Sequence, residues 1–223
     1  MADPQFIEFS SQIIFTFGKI ILFILILKVI TDLLIRWIRP KIVGSQRESF
    51  VFDKLFANLD PEHYKVLNDV LLPSTGNTKT TQIDHIVVSN YGIFCIETKA
   101  YQGWIFGNTN QEQWTQVIYR YKKKFYNPLR QNFAHIKAIE NLLRPRLKKS
   151  IISLIAFPNA DKLKISGTDC VGYARDIVHK IESYTEQIYS DVERDEIYNL
   201  LAAADIIDQE ARDLHRQEVR SLK

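Results

Sequence analysis

Three polar side chains lie on two consecutive apolar segments, QIDHIVVS at 82–89 and YGIFCIETKA at 91–100. Asp84 is on the first segment, and Glu97 and Lys99 are two residues apart on the second. Because side chains on a strand alternate between its two faces, Glu97 and Lys99 are predicted to point to the same side. The pattern therefore places a carboxylate and an ammonium group side by side at the end of an apolar strand.

The short connection Asn90-Tyr91-Gly92 carries residues typical of turns, so the second strand is predicted to fold back antiparallel to the first. Asp84 then comes close to Glu97 and Lys99. Two carboxylates without a cluster of His or Cys suit Mg²⁺ or Mn²⁺ rather than zinc, and the backbone carbonyl of Thr98 is a further candidate ligand. A metal ion and a lysine together can activate water and offset charge on a phosphate, which is the minimum requirement of a metal-dependent phosphodiesterase.

The sequence is compatible with two roles for Lys99. A lowered pKa would let it help deprotonate the attacking water, whereas an ordinary ammonium would stabilise charge on the reacting phosphate. A further alternative is that Asp84, Glu97 and Lys99 form a structural ion network without catalysis.

Composition indicates a globular protein with one core and an appendage. The 223 residues are 46% hydrophobic and 25% charged, and the formal net charge is +3. That charge is too small to indicate a nucleic-acid partner by itself. There are two cysteines and nothing that indicates a disulfide framework or a zinc site, which favours a reducing compartment.

The appendage is an N-terminal apolar segment. Residues 13–30 are almost wholly apolar, broken by Lys19 and Lys28, which is close to the roughly 20 residues that span a bilayer. We predict a membrane anchor over residues 13–35. The basic residues that follow it indicate a single-pass protein with its N-terminus outside and the remainder in the cytoplasm. A buried or amphipathic helix of a soluble protein is the alternative.

The order of predicted elements indicates an α/β domain. Strands are predicted at 63–73, 82–89, 91–100, 103–107, 114–121, 151–158 and 170–173. A helix is predicted from Asn127-Pro128 to about Leu143, and helices again from Arg175 to the C-terminus. We expect one central mixed sheet flanked by helices. The predicted divisions are an anchor at 1–40, the α/β domain at 41–205 and a helical tail at 206–223.

Several blocks of this domain resemble the NERD (nuclease-related domain) family. They are IDHIVVSNYGIFCIETK, GWIFG and FYNPLRQNFAHIKAIENLL, and the resemblance covers roughly residues 44–205. The family is similar to the restriction-endonuclease-like PD-(D/E)xK phosphodiesterases, whose signature is Asp followed by Glu-x-Lys. The resemblance places Asp84, Glu97 and Lys99 at the signature positions. It implies a nuclease with a central mixed sheet, and it favours DNA over RNA as the substrate.

The same resemblance implies two further site residues. Glu48 corresponds to a glutamate on the first helix that can extend the metal site, although Arg47 precedes it where the family usually has glycine. Gln131 lies on the helix after Pro128, at a position that approaches the active site in related nucleases. His135 is four residues later and shares its helix face.

A basic and aromatic segment, YRYKKKFYNPLRQN at 119–132, is the candidate nucleic-acid contact. Cations contact phosphates, and aromatic rings stack on unpaired bases. The proposed contact residues are Arg120, Lys122, Lys123, Lys124 and Arg130. Alternatively, the aromatics belong to the core and the lysines solvate a strand edge, or the same charges meet anionic lipid.

Taken together, these patterns predict a membrane-anchored nuclease that depends on Mg²⁺ or Mn²⁺. The alternative is a non-catalytic module that keeps the nuclease fold and binds nucleic acid or a partner at the membrane.

Overall fold

The computed structural model describes residues 19, 23–31, 57–74, 76 and 78–221. The chain divides into two compact units, Met1–Gln46 and Arg47–Lys223. In the first unit, residues 23–31 are helical and their large apolar side chains are exposed, from 47% at Ile30 to 66% at Phe23. Within the described ranges, no helix combines the length and the apolarity that crossing a bilayer requires. Most of the predicted anchor at 13–35, and also Glu48, lie outside those ranges.

The second unit is a mixed α/β fold. Its described strands are β1 (Tyr64–Pro73), β2 (Thr80–Ser89), β3 (Gly92–Thr98), β4 (Gly103–Asn108), β5 (Gln113–Ile118), β6 (Tyr121–Tyr126), β7 (Ile152–Ala156), β8 (Ala160–Ser166) and β9 (Val171–Gly172). Its described α-helices are α1 (Pro128–Leu143), α2 (Ala174–Glu182), α3 (Asp191–Ala204) and α4 (Gln209–Ser221).

The first sheet has the strand order β1-β2-β3-β7-β9. The predicted hairpin is confirmed, because β2 and β3 pair antiparallel, with His85 opposite Ile96 and Ser89 opposite Gly92. β3 and β7 are parallel, and so are β7 and β9. This sheet is mixed, as predicted.

The expectation of one central sheet was wrong, since β6, β5, β4 and β8 form a second one in that order. Gly103 turns the chain into this sheet with φ of 78°, a conformation that suits glycine. The strand predicted at 114–121 ends at Ile118, because Tyr119 has φ of 53° and the chain reverses there into β6. β6 and β8 were both absent from the predicted elements.

Helices cover both faces of the first sheet. On one face, Ile136, Ile139 and Leu143 of α1 pack in a buried cluster with Ile86 and Cys95. A second cluster joins α2 to the other side of β3 and β7, through Ile177, Ile181, Phe94, Ile96 and Leu154. Two covered faces explain the continuous apolar run that becomes β7.

Helix α1 begins where the sequence predicts. Asn127 caps it by accepting a hydrogen bond from the Leu129 backbone N–H at 3.0 Å, and Pro128 occupies the first turn. The helices predicted from Arg175 onward are α2, α3 and α4, and α4 lies in the predicted helical tail at 206–223. His215 of α4 is buried, and its Nδ1 lies 2.9 Å from the Thr80 hydroxyl.

Candidate active site

The end of β3 brings together the three side chains that the sequence singled out. Asp84 on β2 accepts a hydrogen bond from the Thr98 backbone N–H, with Oδ2 2.7 Å from the nitrogen. Lys99 Nζ donates to Glu97 Oε1 at 2.6 Å. Glu97 is 3% exposed and the Lys99 side chain 18%. The predicted convergence of Asp84, Glu97 and Lys99 is therefore present at the C-terminal end of β3, on the sheet face that α1 covers.

Helix α1 adds two side chains from one face. Lys99 Nζ also donates to Gln131 Oε1 at 2.8 Å, and His135 Nε2 lies 3.1 Å from Glu97 Oε2. Residues four apart on a helix are neighbours, so both reach the same carboxylate–lysine pair. Gln131 lies at the cluster, as the family resemblance implied, and His135 contacts Glu97 more directly than its sequence position suggested.

Thr81 fixes the orientation of the His135 ring. Its hydroxyl lies 2.6 Å from His135 Nδ1, and both side chains are buried. In a neutral imidazole that donates from Nε2 to Glu97, Nδ1 accepts the Thr81 hydroxyl hydrogen. One hydrogen-bonded chain therefore runs from Thr81 through His135 to Glu97 and Lys99.

Opposite charges hold the Glu97–Lys99 pair ionised. Burial alone would raise the pKa of the Glu97 carboxyl, but Lys99 and His135 outweigh burial and lower that pKa to about 2. Burial would likewise lower the pKa of Lys99, but the charges of Glu97 and Asp84 raise it above its usual value. Lys99 is thus an ammonium at neutral pH, which suits charge stabilisation better than proton abstraction.

The donor chemistry fits a hard divalent cation in part. Asp84 and Glu97 supply carboxylate oxygens, the ligands that Mg²⁺ prefers. Among the described residues, no group of three or more His, Cys, Asp or Glu is arranged to hold a metal ion. Two carboxylates are a partial ligand set, so an ion would need further oxygens from water, from the Thr98 carbonyl or from Glu48.

Asn132 is a further residue that sequence reasoning missed. It is fully buried on α1, and its Nδ2 donates to the Cys95 carbonyl and to Ser153 Oγ, both at 2.8 Å. Cys95 Sγ in turn donates to Asn132 Oδ1 at 3.0 Å. These bonds fasten α1 to β3 and β7 one residue from Gln131. An amide within the apolar face of an amphipathic helix was the available signal.

The predicted nucleic-acid residues are spread over three elements. Lys122, Lys123 and Lys124 lie on β6, which is an edge strand, and Arg120 lies in the turn before it. Arg130 is on α1 and donates to the Asn110 carbonyl at 3.2 Å. The described hydrogen bonds join none of these side chains to the carboxylates of the cluster.

The candidate site lies within the part of the chain that matches a known protein family. The sequence profile of the nuclease-related domain, NERD, matches residues 43–158. An uncharacterized protein of Bacillus anthracis is 40% identical over 187 residues, which cover 82% of this chain and 85% of that protein. No solved structure matches the chain significantly. The profile match contains Glu48, Asp84, Glu97, Lys99 and Gln131.

Proposed function

The chain belongs to the nuclease-related domain family, and from this premise we propose that it is a metal-dependent nuclease that hydrolyses phosphodiester bonds, with DNA as the favoured substrate. One observation carries the proposal. Asp84, Glu97 and Lys99 meet at the end of β3, where Asp84 contacts the Thr98 N–H and Lys99 contacts Glu97.

The residues divide the chemistry between them. Asp84, Glu97 and the Thr98 carbonyl would hold Mg²⁺ or Mn²⁺, with Glu48 extending the site. Such an ion, when bound, lowers the pKa of a coordinated water and offsets phosphate charge. The Lys99 ammonium stabilises negative charge that develops on the phosphate in the transition state.

The α1 side chains position these groups. Gln131 holds the Lys99 ammonium through its Oε1, and His135 holds Glu97 on the side opposite Lys99. Both act through another residue, so they are positioning residues. Nucleic-acid binding by Arg120, Lys122, Lys123, Lys124 and Arg130 is part of the same proposal.

The test is cleavage of labelled DNA and RNA by the full-length chain with Mg²⁺ or Mn²⁺. Asp84→Asn and Lys99→Met should each lower the cleavage rate about a hundredfold or more, because each removes a group that acts on the reacting phosphate. Lys137→Met, an exposed lysine on α1, is the matched control and should keep the rate. Cleavage that survives in both site variants contradicts the assignment.

A second candidate is a non-catalytic module that keeps the nuclease fold. The observation in its favour is that both Glu97 oxygens are already bonded, one to Lys99 and one to His135. A metal titration separates the two. An ion that binds only the folded chain raises the melting temperature, and the rise should disappear in Asp84→Asn. Nucleic-acid binding with neither cleavage nor this rise would favour the second candidate.

The proposal also places the nuclease at a membrane. Residues 13–35 would form a single-pass anchor, with the N-terminus outside and the nuclease-like domain in the cytoplasm. Support comes from the sequence and from helical residues 23–31, whose exposed side chains are almost all apolar. Lys28 and Thr31 are the polar side chains of this stretch, and a helix with so many exposed apolar side chains is typical of a membrane or a core rather than of a water-exposed surface.

A further inference from the structure

The second sheet has one buried face and one open face. Ile105 and Trp114 point to the buried side, where they pack with Phe125 and Phe157. Their strand neighbours lie on the open side, where Trp104 of β4 is 43% exposed and Phe106 is partly exposed. Two aromatic rings are therefore presented to solvent from one of the two inner strands.

The strand register flanks each of these rings with lysines. On β8, Lys162 pairs with Trp104 and Lys164 with Phe106, while β5 places Val117 and Thr115 opposite the two rings. Lys122 and Lys124 of β6 continue the same lines beyond β5. Across the sheet the two rows read Lys122–Val117–Trp104–Lys162 and Lys124–Thr115–Phe106–Lys164. We call this surface the lysine–aromatic face.

The side chains on this face form a continuous cationic and aromatic surface. Lys164 Nζ lies 4.9 Å from the centre of the Trp104 ring and 5.3 Å from that of Phe106, and Lys162 Nζ lies 5.4 Å from the Trp104 ring. The two ring centres are 6.2 Å apart. As far as the structure describes the chain, none of the four lysines forms an ion pair. A groove of about 960 Å³ is lined by Trp104, Phe106 and Lys122, and Asp161 adds one carboxylate to its lining.

We infer that the lysine–aromatic face binds single-stranded nucleic acid. Unpaired bases can stack on Trp104 and Phe106, and the surrounding lysines can contact the phosphates. A duplex hides the faces of its bases, so a flat aromatic surface selects unpaired strands. The inference rests on the proposed function, which is the reason for taking a nucleic acid as the ligand. It adds that the substrate is single-stranded.

The chain connects this face directly to the candidate active site. β4 begins four residues after Lys99, so the Cα atoms of Lys99 and Trp104 are at most about 18 Å apart, from the reach of an extended chain. β7 ends at Ala156, whose carbonyl accepts a hydrogen bond from the Lys99 N–H at 2.8 Å, and β8 begins at Ala160. Both strands that leave the site therefore lead into the two strands that carry Trp104, Phe106, Lys162 and Lys164.

Edge protection alone does not account for this surface. β6 and β8 are the two edge strands, and lysines commonly prevent such edges from pairing with other chains. That role explains the lysines but leaves exposed aromatic rings between them unexplained. A lipid surface fits less well, because insertion needs apolar groups that reach several ångströms into the bilayer. Here the longer lysine side chains surround a half-buried Phe106 and a Trp104 ring that is less than half exposed.

The test measures binding without cleavage. Fluorescence anisotropy of a labelled oligothymidylate is recorded with the full-length chain in EDTA, and the matching duplex is the comparison. We expect tighter binding of the single strand, and Trp104→Thr should weaken it about tenfold, since one stacking platform is lost. Trp104→Tyr should retain most of the affinity. Thermal melts of each variant establish that it is folded.

A charge-reversal pair tests the lysines independently of the ring. Lys162→Glu/Lys164→Glu should weaken binding and reduce the slope of log affinity against log salt concentration by about 1.4, which is the loss of two phosphate contacts to a single strand. Arg144→Glu/Arg146→Glu changes two other exposed residues by the same charge and is the matched control. Equal losses in both pairs would show an unspecific charge effect and overturn the inference.

Other outcomes are equally decisive. Duplex binding as tight as single-strand binding, with no effect of Trp104→Thr, overturns the inference. Competition by polyglutamate, at the same concentration of charges as the oligonucleotide, also overturns the inference. A blue shift of tryptophan emission on vesicles of phosphatidylserine that is lost in Trp104→Tyr, without oligonucleotide binding, would assign the face to lipid instead.

The two proposals fail separately. Binding that depends on Trp104 while no cleavage occurs with any metal leaves this inference intact and overturns the proposed catalysis. Cleavage that depends on Asp84 and Lys99 but not on Trp104, Lys162 or Lys164 does the reverse.

Discussion

At the scale of the residue, Glu97 is a buried carboxylate with a partner on each oxygen. Lys99 contacts one oxygen and His135 the other, at 2.6 and 3.1 Å. Such a group is stable in the interior only while its partners remain, because an uncompensated buried charge is costly. The same contacts that keep Glu97 ionised therefore also contribute to the stability of the fold.

Lys99→Met should lower the free energy of unfolding by about 3 kcal/mol, since it leaves Glu97 buried with one partner fewer. Urea unfolding at neutral pH measures the change. Lys137→Met is the control. It removes an exposed ion pair with Glu140 on the same helix, α1, and should lower the free energy of unfolding by less than about 1 kcal/mol. Similar losses in the two variants would contradict the structural role of the Glu97–Lys99 pair.

His85 makes the stability of the fold depend on pH. It is fully buried on β2, and burial lowers its pKa from 6.5 to about 4, although Glu97 and Asp69 oppose the change. Between these two pH values the unfolded chain binds more protons than the folded chain, so stability rises with pH. The contribution is complete above pH 6.5 and is lost as the pH falls toward 4. It amounts to about 3 kcal/mol.

The free energy of unfolding, measured by urea unfolding between pH 4 and pH 8, should therefore rise with pH between about pH 4 and pH 6.5. His85→Phe, which fills a similar volume without titrating, should flatten it. His179→Phe changes an exposed histidine on α2 and should leave the slope as it is. An unchanged slope in His85→Phe would exclude His85 as the source.

At the scale of the element, α1 sets the geometry of the candidate site. Asn132 hydrogen-bonds to β3 and β7, and the two site residues Gln131 and His135 lie on either side of it along the helix. Any shift of α1 moves both contacts with the carboxylate–lysine pair. The helix is therefore attached most firmly where it delivers functional side chains.

Asn132→Ala should lower the free energy of unfolding by about 2 kcal/mol, because it leaves the buried Cys95 carbonyl without a side-chain donor. It should also slow metal-dependent cleavage, since Gln131 no longer holds Lys99 in register. Urea unfolding and cleavage assays measure the two effects. Asn141→Ala, at an exposed position of the same helix, should change neither.

The elements that sequence could predict are those with strong local signals. Asn90-Tyr91-Gly92 between two apolar runs indicated the β2–β3 hairpin, and Asn127-Pro128 indicated the start of α1. β6 and β8 were missed because lysines at Lys122–Lys124 and at Lys162 and Lys164 hide their strand character in a charged pattern. The pairing of β4 with β8 joins distant parts of the chain, and no local feature indicates it.

The candidate site, too, could be predicted from the sequence only where local signals determine it. The Asp84, Glu97 and Lys99 constellation follows from strand alternation and one turn. Its contact with Gln131 was expected only by resemblance to a family. The contribution of His135 depends on how α1 crosses the sheet, which one sequence does not specify.

At the scale of the whole molecule, the question is where the chain resides. If residues 13–35 anchor it, the protein should stay with membranes after an alkaline carbonate wash. Leu25→Lys/Ile26→Lys should release it into the supernatant, because each lysine in mid-segment costs about 3 kcal/mol of insertion energy. Gln209→Lys/Glu210→Lys on α4 adds lysines far along the chain and should leave the protein in the pellet. Wild-type protein in the supernatant would contradict the anchor.

The position of Cys95 has a practical consequence for experiments on the intact chain. Its sulfur lies at the centre of the first sheet, fully buried, and burial raises the pKa of the thiol well above its ordinary value. Alkylating reagents attack the thiolate, so Cys95 should react only when the sheet itself opens. Cys170 is partly exposed, and its sulfur should be alkylated while the protein is folded. The rate at which the doubly alkylated species appears, measured by mass spectrometry, would then report how often the whole fold opens, without any introduced label.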